Sequence, residues 1–212
     1  LNLKNDLLDY LFNNHQELIS LTLRHIFISL VAILCAILIA VPLGYLCTKI
    51  PALRKSTVNL FQIIRLIPSL AILILLIPIM GTGTLPAITA LIILGIPPIL
   101  MNTIVGFNSV PSVMIESGVA IGMNDRQVFR KVIFPLAMPL ILSGIKTSLI
   151  EIIASATLAS KIGGGGLGDL IFTGLGLNRL DLTLIGGVVV ALLSIFANFT
   201  MNFLEKRIVR YA

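Results

Sequence analysis

Apolar positions along this chain come in five long runs, each close to the roughly 20 residues that a helix needs to cross a bilayer. Ile26–Leu46, Leu85–Val105 and Leu182–Phe203 contain no charge, Val58–Met80 carries only Arg65, and Pro135–Ala159 carries Lys146 and Glu151. None alternates apolar with polar residues, as the strands of a membrane barrel must. Helices remain as the way to satisfy every backbone group in lipid. The predicted fold is therefore all-α: a polytopic membrane protein of five transmembrane helices, over about 26–46, 58–80, 85–105, 135–159 and 182–203.

Outside the runs the pattern changes. Leu3, Leu7, Leu8 and Leu11 recur at three- and four-residue steps, so residues 1–22 read as an amphipathic helix on the membrane surface. They do not have the basic start, apolar core and small-residue cleavage site of a signal peptide. Residues 23–205 form the membrane domain. It includes a polar loop at 106–134 and a glycine-rich loop at 160–181, and residues 206–212 are a tail.

Composition agrees with this division. The chain is 57% hydrophobic and 11% charged, with a mean hydropathy of +1.07, whereas a soluble domain carries about 25% charged residues. Lys and Arg collect in alternate segments: Lys49, Arg54 and Lys55; Arg126, Arg130 and Lys131; Lys206, Arg207 and Arg210. The opposite side has Lys4, Arg24, Lys161 and Arg179. The positive-inside rule then places the N-terminus outside and the tail in the cytoplasm. The net charge of +6 is mostly a topology signal. Basic residues split among three short segments give no nucleic-acid patch. Cys35 and Cys47 lie about 18 Å apart on one predicted helix and cannot pair. Neither histidine sits in a metal-ligand spacing, and no catalytic pair is present.

The polar loop contains "ESGVAIGMNDRQVFRKVIFP" at 116–135. Pro111 suits the first turn of a helix that passes through Glu116, and Gly122 ends it with a left-handed turn. Asn124 can cap a second short helix, with Gln127 completing a capping box. Val128, Phe129, Val132 and Ile133 give that helix an apolar face, and Pro135 begins the fourth span.

The spacing from Glu116 to Gly122 and on to Val132 and Phe134-Pro135 resembles the EAA loop of ATP-binding-cassette (ABC) importer permeases. Ser117 and Gly118 replace the two alanines of that pattern, Val132 an isoleucine, and Phe134 a leucine. The resemblance implies a MetI-like type I permease fold. In that family the loop is a coupling helix docked in a groove of a separate cytoplasmic ATPase. Glu116, Ser117, Gly118, Gly122, Asn124, Arg126, Phe129, Arg130 and Pro135 are then the ATPase-coupling residues, with Glu116 paired to a basic group of the ATPase.

"QIIRLIPSLAILILLIPIMGTG" at 62–83 and "ATLASKIGGGGLGDLIFTGL" at 156–175 are similar to the osmoprotectant importers, whose solutes are quaternary amines such as glycine betaine, carnitine and choline. An importer of another small solute, methionine or ergothioneine, and a stand-alone ion-coupled carrier are the alternatives. A carrier would need inverted repeats and paired intramembrane carboxylates. The run Gly163, Gly164, Gly165, Gly166 with Gly168 has no following Gly-Lys-Ser/Thr, so it is no phosphate loop. It is read as shaping the outer mouth of the pathway. The chain is then not an enzyme and binds no cofactor or metal of its own, ATP and Mg²⁺ belonging to the partner ATPase dimer.

Arg65, Lys146 and Glu151 each cost on the order of 3 kcal/mol at mid-bilayer, so they should face the bundle interior. With the helix breakers Pro68 and Ser69 they are candidate pathway residues, and a pair between Glu151 and Arg65 is expected. Asn102 and Asn202 are candidates for hydrogen bonding between helices. The chain has no Trp and three Tyr, too few for an aromatic cage around a quaternary ammonium. An extracellular binding protein should therefore hold the specificity. Five spans are few for a gated pathway, so a second permease subunit, identical or paralogous, completes it in a bacterial cell membrane.

Overall fold

The computed structural model describes residues 3–209; of the expected tail, residues 210–212, Arg210 among them, lie outside the described residues. The described chain is helical, without a strand. Its helices are α1 (Leu3–Asn13), α2 (His15–Lys49), α3 (Pro51–Leu66), α4 (Ser69–Met80), α5 (Thr84–Asn108), α6 (Ser112–Ala120), α7 (Asp125–Val128), α8 (Phe134–Ala159), α9 (Leu167–Gly176) and α10 (Leu180–Val209). A π-turn, Phe129–Ile133, joins α7 to α8, and a short 3₁₀ turn, Ser160–Ile162, follows α8.

Among the described residues four helical stretches are long and apolar enough to span a membrane alone, and the bent pair α3–α4 passes the same test when taken as one span. Helix α5 is the centre. Of its apolar window 61% is buried, against 22% for α10, which lies at the edge. α5 packs chiefly on α8 and α2, and α10 on α8 and α9. The main core contains Ile28, Leu73, Leu91, Ile99, Leu100 and Ile152, all fully buried. Gly95 lets α5 approach Ile152 and Ser148 of α8, where a Cβ would stand 2.7 Å and 2.9 Å from their side chains. Without a hydrophobic drive between helices in lipid, such small-residue contacts let them pack closely.

Prolines punctuate the path. Ile50 is extended before Pro51, which opens α3. Ile67 is likewise extended before Pro68. The second span, expected over 58–80, is thus two helices meeting at 102°. The 12 residues of α4 reach only about 18 Å, too short to cross alone. Pro68 forces an end to α3; the angle comes from α4 packing on α5 and α8.

The N-terminal segment folds as α1 and the start of α2. Tyr10 is buried with Leu170, Leu182 and Ile185, so α1 is clamped to α9 and α10 while Leu8, Leu11 and Phe12 stay exposed. Its hydroxyl donates to the Glu17 carboxylate at 3.2 Å.

Candidate functional site

The polar loop begins where Pro111, extended at ψ 135°, leads into α6. That helix ends at Gly122, whose φ of +87° lies in the left-handed region. Its N–H donates to Val119 O at 2.9 Å, and Met123 N–H donates to Gly118 O at 3.1 Å. Asn124 then caps α7: Gln127 N–H donates to Asn124 Oδ1 and Asn124 N–H to Gln127 Oε1, both at 3.0 Å.

α7 is not a separate second rod. It runs through the π-turn into α8, giving one helical stretch over residues 125–162. Pro135 sits in the first turn of α8. Having no N–H, it cannot bond the carbonyl four residues back, and the wider π-turn before it accommodates that loss. The hinge at Gly122 therefore separates α6 from an extension of α8 itself.

α6 rests on this extension through Gly118, which is buried against Met123, Val128 and Val132. Its other faces are open: Val113, Met114, Val119 and Ile121 are 49–74% exposed, and Glu116 and Ser117 are exposed with them. Ser117 Oγ donates back to Val113 O of its own helix at 2.7 Å. Arg126, Arg130 and Lys131, with Asn124 and Gln127, line an open basic cavity of about 580 Å³ beside it.

Phe129 ties the loop to the bundle. Its ring lies 4.9 Å from that of Tyr45 on α2, 6.1 Å from Phe107 on α5 and 6.0 Å from Phe134. Tyr45 and Phe107 meet edge-on at 5.1 Å. Periodicity singles out Phe129 but gives no sign of Tyr45 and Phe107, which lie more than 20 residues away in sequence.

A second cluster lies at the α3–α4 break. Arg65, Pro68, Ser69 and Glu151 line one cavity of about 250 Å³, with Leu94, Pro97 and Ser155 among its other walls. The expected Arg65–Glu151 ion pair is not formed. The ion pairs among the described residues are Lys146–Glu205, at 3.3 Å, and Arg179–Asp181. Lys146 is thus drawn away to α10, where it also donates to Asn202 Oδ1 at 3.0 Å. Glu205 lies beyond the apolar run Leu182–Phe203, so nothing in the sequence points to this partner. Asn202 does link two helices, whereas Asn102 donates to Pro98 O of its own helix at 2.9 Å.

The glycine run forms a buried seat. Gly164, Gly165, Gly166 and Gly168 are buried, and Gly163 packs by Gly83, whose N–H donates to Ile162 O at 2.6 Å. Arg24 crosses it, donating from Nε to Gly164 O at 3.0 Å and from Nη2 to Thr84 Oγ1 at 2.9 Å. A Cβ on Gly165 would strike the Arg24 guanidinium, and one on Gly168 the carbonyl of Thr157. His25 lies under Gly166 and its Nε2 is 3.0 Å from Ile153 O. Arg24 and His25 carried no motif; a charge just before an apolar run was their one sign.

Comparison with known proteins fits this arrangement. Residues 36–210 match the family described as binding-protein-dependent transport system inner membrane component. The chain is 44% identical to a carnitine transport permease protein of Listeria monocytogenes, over 92% of this chain and 89% of that protein. It is 41% identical to a glycine betaine/carnitine/choline transport system permease protein of Bacillus subtilis, over 96% and 94%. It is 42% identical to a choline transport system permease protein of the same organism, over 95% and 93%. Its fold superposes on a chain of an inward-facing MetNI methionine ABC transporter with a TM-score of 0.77 at 23% identity, covering 90% of this chain and 95% of that one.

Proposed function

The chain belongs to the family of binding-protein-dependent transport system inner membrane components, and from that premise we propose that it is the translocation subunit of an ATP-driven importer of quaternary-amine compatible solutes. It is a multi-pass membrane protein of the ABC permease type. Glycine betaine, carnitine and choline are the solutes named for relatives that align over nearly all of this chain.

One observation carries the coupling role. α6 holds an acid, Glu116, within an exposed apolar surface of Val113, Met114, Val119 and Ile121, and is hinged at Gly122 to the extension of a membrane helix. Apolar side chains left open around one charge suit a groove in another protein. The basic cavity of Arg126 and Arg130 beside it offers that partner's acids a counter-surface. A cytoplasmic ATPase dimer docks here and binds the ATP and Mg²⁺. Its closure pushes α6 and, through Gly118 and Phe129, the inner ends of α2, α5 and α8. The spans then rock between inward- and outward-open states. This assigns the loop to the cytoplasm and the N-terminus to the outside, as the Lys and Arg distribution favours. A second permease subunit and an external binding protein complete the machine, and hydrolysis takes place on the ATPase rather than on this chain.

Purification of the chain with its neighbours in the assembly tests this. The complex should contain an ATPase, and Glu116→Arg should release it while the spans still insert. Retention of the ATPase by Glu116→Arg together with an Ile121→Asp change would overturn the docking assignment. Uptake by the chain reconstituted alone would overturn the importer reading.

A further inference from the structure

The cavity at the α3–α4 break combines features that need explaining together. Arg65 lies in the last turn of α3, Ser69 opens α4, and Glu151 and Ser155 stand one turn apart on α8. Two opposite charges, one in the last turn of α3 and one within α8, thus face one space without forming an ion pair. Lys146, the other ionisable group of α8, is already paired on α10 and does not line the cavity. At about 250 Å³ the space would hold about eight waters at roughly 30 Å³ each. That is the size of a small organic solute.

Its chemistry is selective. No aromatic ring lies among the lining residues, so a quaternary ammonium, which has no N–H to donate, finds only the Glu151 carboxylate to attract it. Arg65 offers a planar fork of donors suited to a carboxylate. Ser69 and Ser155 add hydroxyls.

Resting on the importer reading above, we propose that this cavity is a station for zwitterions, in which Arg65 takes the carboxylate and Glu151 the quaternary ammonium of one solute. The permease then adds its own discrimination to that of the binding protein: carnitine and glycine betaine satisfy both charges, whereas choline, lacking a carboxylate, satisfies only Glu151. A solute bridging the two charges also replaces the ion pair that the free subunit leaves unmade.

Uptake of labelled carnitine, glycine betaine and choline by the full complex in proteoliposomes, normalised to inserted permease, tests the proposal. Arg65→Gln should lower the carnitine-to-choline uptake ratio at least roughly tenfold, the scale of a charge-assisted hydrogen bond. Glu151→Gln should lower uptake of all three with the ratio little changed. An unchanged ratio in Arg65→Gln would overturn the proposal. So would wild-type uptake and ratio in the charge-exchanged variant Arg65→Glu/Glu151→Arg, because a structural pair survives exchange and a fixed site for an oriented zwitterion does not. If the wild-type complex takes up none of the three, the solute assignment itself fails, an outcome separate from any effect of the variants.

Discussion

Tyr45 near the end of α2 and Phe129 in the π-turn before α8 hold their rings 4.9 Å apart, joining the polar loop to a helix that is distant in sequence. Aromatic pairs contribute about 0.5–1.5 kcal/mol each beyond the area they bury. Phe129 has three such neighbours. Phe129 is half-buried, so Phe129→Ala should loosen this joint by about 2–4 kcal/mol, reaching below the roughly 3–5 kcal/mol of a fully buried aromatic. ATP hydrolysis by the complex should continue while solute transported per ATP falls. Phe129→Leu should lie between, and simultaneous measurement of hydrolysis and uptake gives the ratio.

Gly118 and Gly122 should respond oppositely to alanine. A Cβ at Gly118 would make ordinary contacts of 3.5–3.6 Å with Met123, Val128 and Val132. Gly118→Ala should therefore be neutral or stabilising by up to about 1 kcal/mol, the helix-propensity difference. At Gly122 there is open space but φ is +87°. Gly122→Ala should cost about 1–2 kcal/mol of left-handed strain. Thermal unfolding of the detergent-solubilised protein, together with retention of the ATPase, distinguishes the two.

The glycine seat should be the most sensitive part of the fold. Gly168→Ala puts a methyl group against the Thr157 carbonyl, and backbone cannot yield as a flexible side chain can. No stable protein is expected, whereas Gly176→Ala, with nothing within 4 Å, should be silent. Arg24→Ala removes the donors to Gly164 and Thr84. It should cost about 1–3 kcal/mol, the penalty for leaving a buried acceptor unpaired. Yield and melting temperature of the three variants check this order.

Tyr10 predicts an alkaline effect. Burial first and the Glu17 carboxylate second push its phenol up to about 12 from an ordinary 10.0. A raised value means that the folded state favours the neutral phenol. Its contribution is whole below pH 10 and is lost as pH climbs from about 10 to 12. α1 should detach from α10 over that interval, seen as faster proteolysis near Asn13 and Asn14, and Tyr10→Phe should move the transition to higher pH.

Much of this was legible from sequence because its causes are local. Apolar runs of bilayer length gave the helices, Pro68 gave a break, and Asn124 with Gln127 gave the capping box. What stayed hidden was long-range. Nothing near Pro68 encodes an angle of 102°. Nothing near Lys146 points to Glu205 on α10. Arg24 meets Gly164 only once α2 and α8 have packed. The loop itself is half legible: Gly122 fixes the hinge, but Pro135 reads as a boundary where the π-turn lets the helix continue.

Arg24, on the glycine seat, and Tyr45, on the aromatic joint, belong to the same helix, α2. At 1.5 Å per residue they stand about 32 Å apart along one shaft. The weak point between them is Pro42, close to Tyr45. A pushrod of this kind cannot shorten. On the coupling proposed above, displacement entering at the Tyr45 end should emerge at Arg24, and the glycine seat should travel with the stroke instead of staying fixed to the frame.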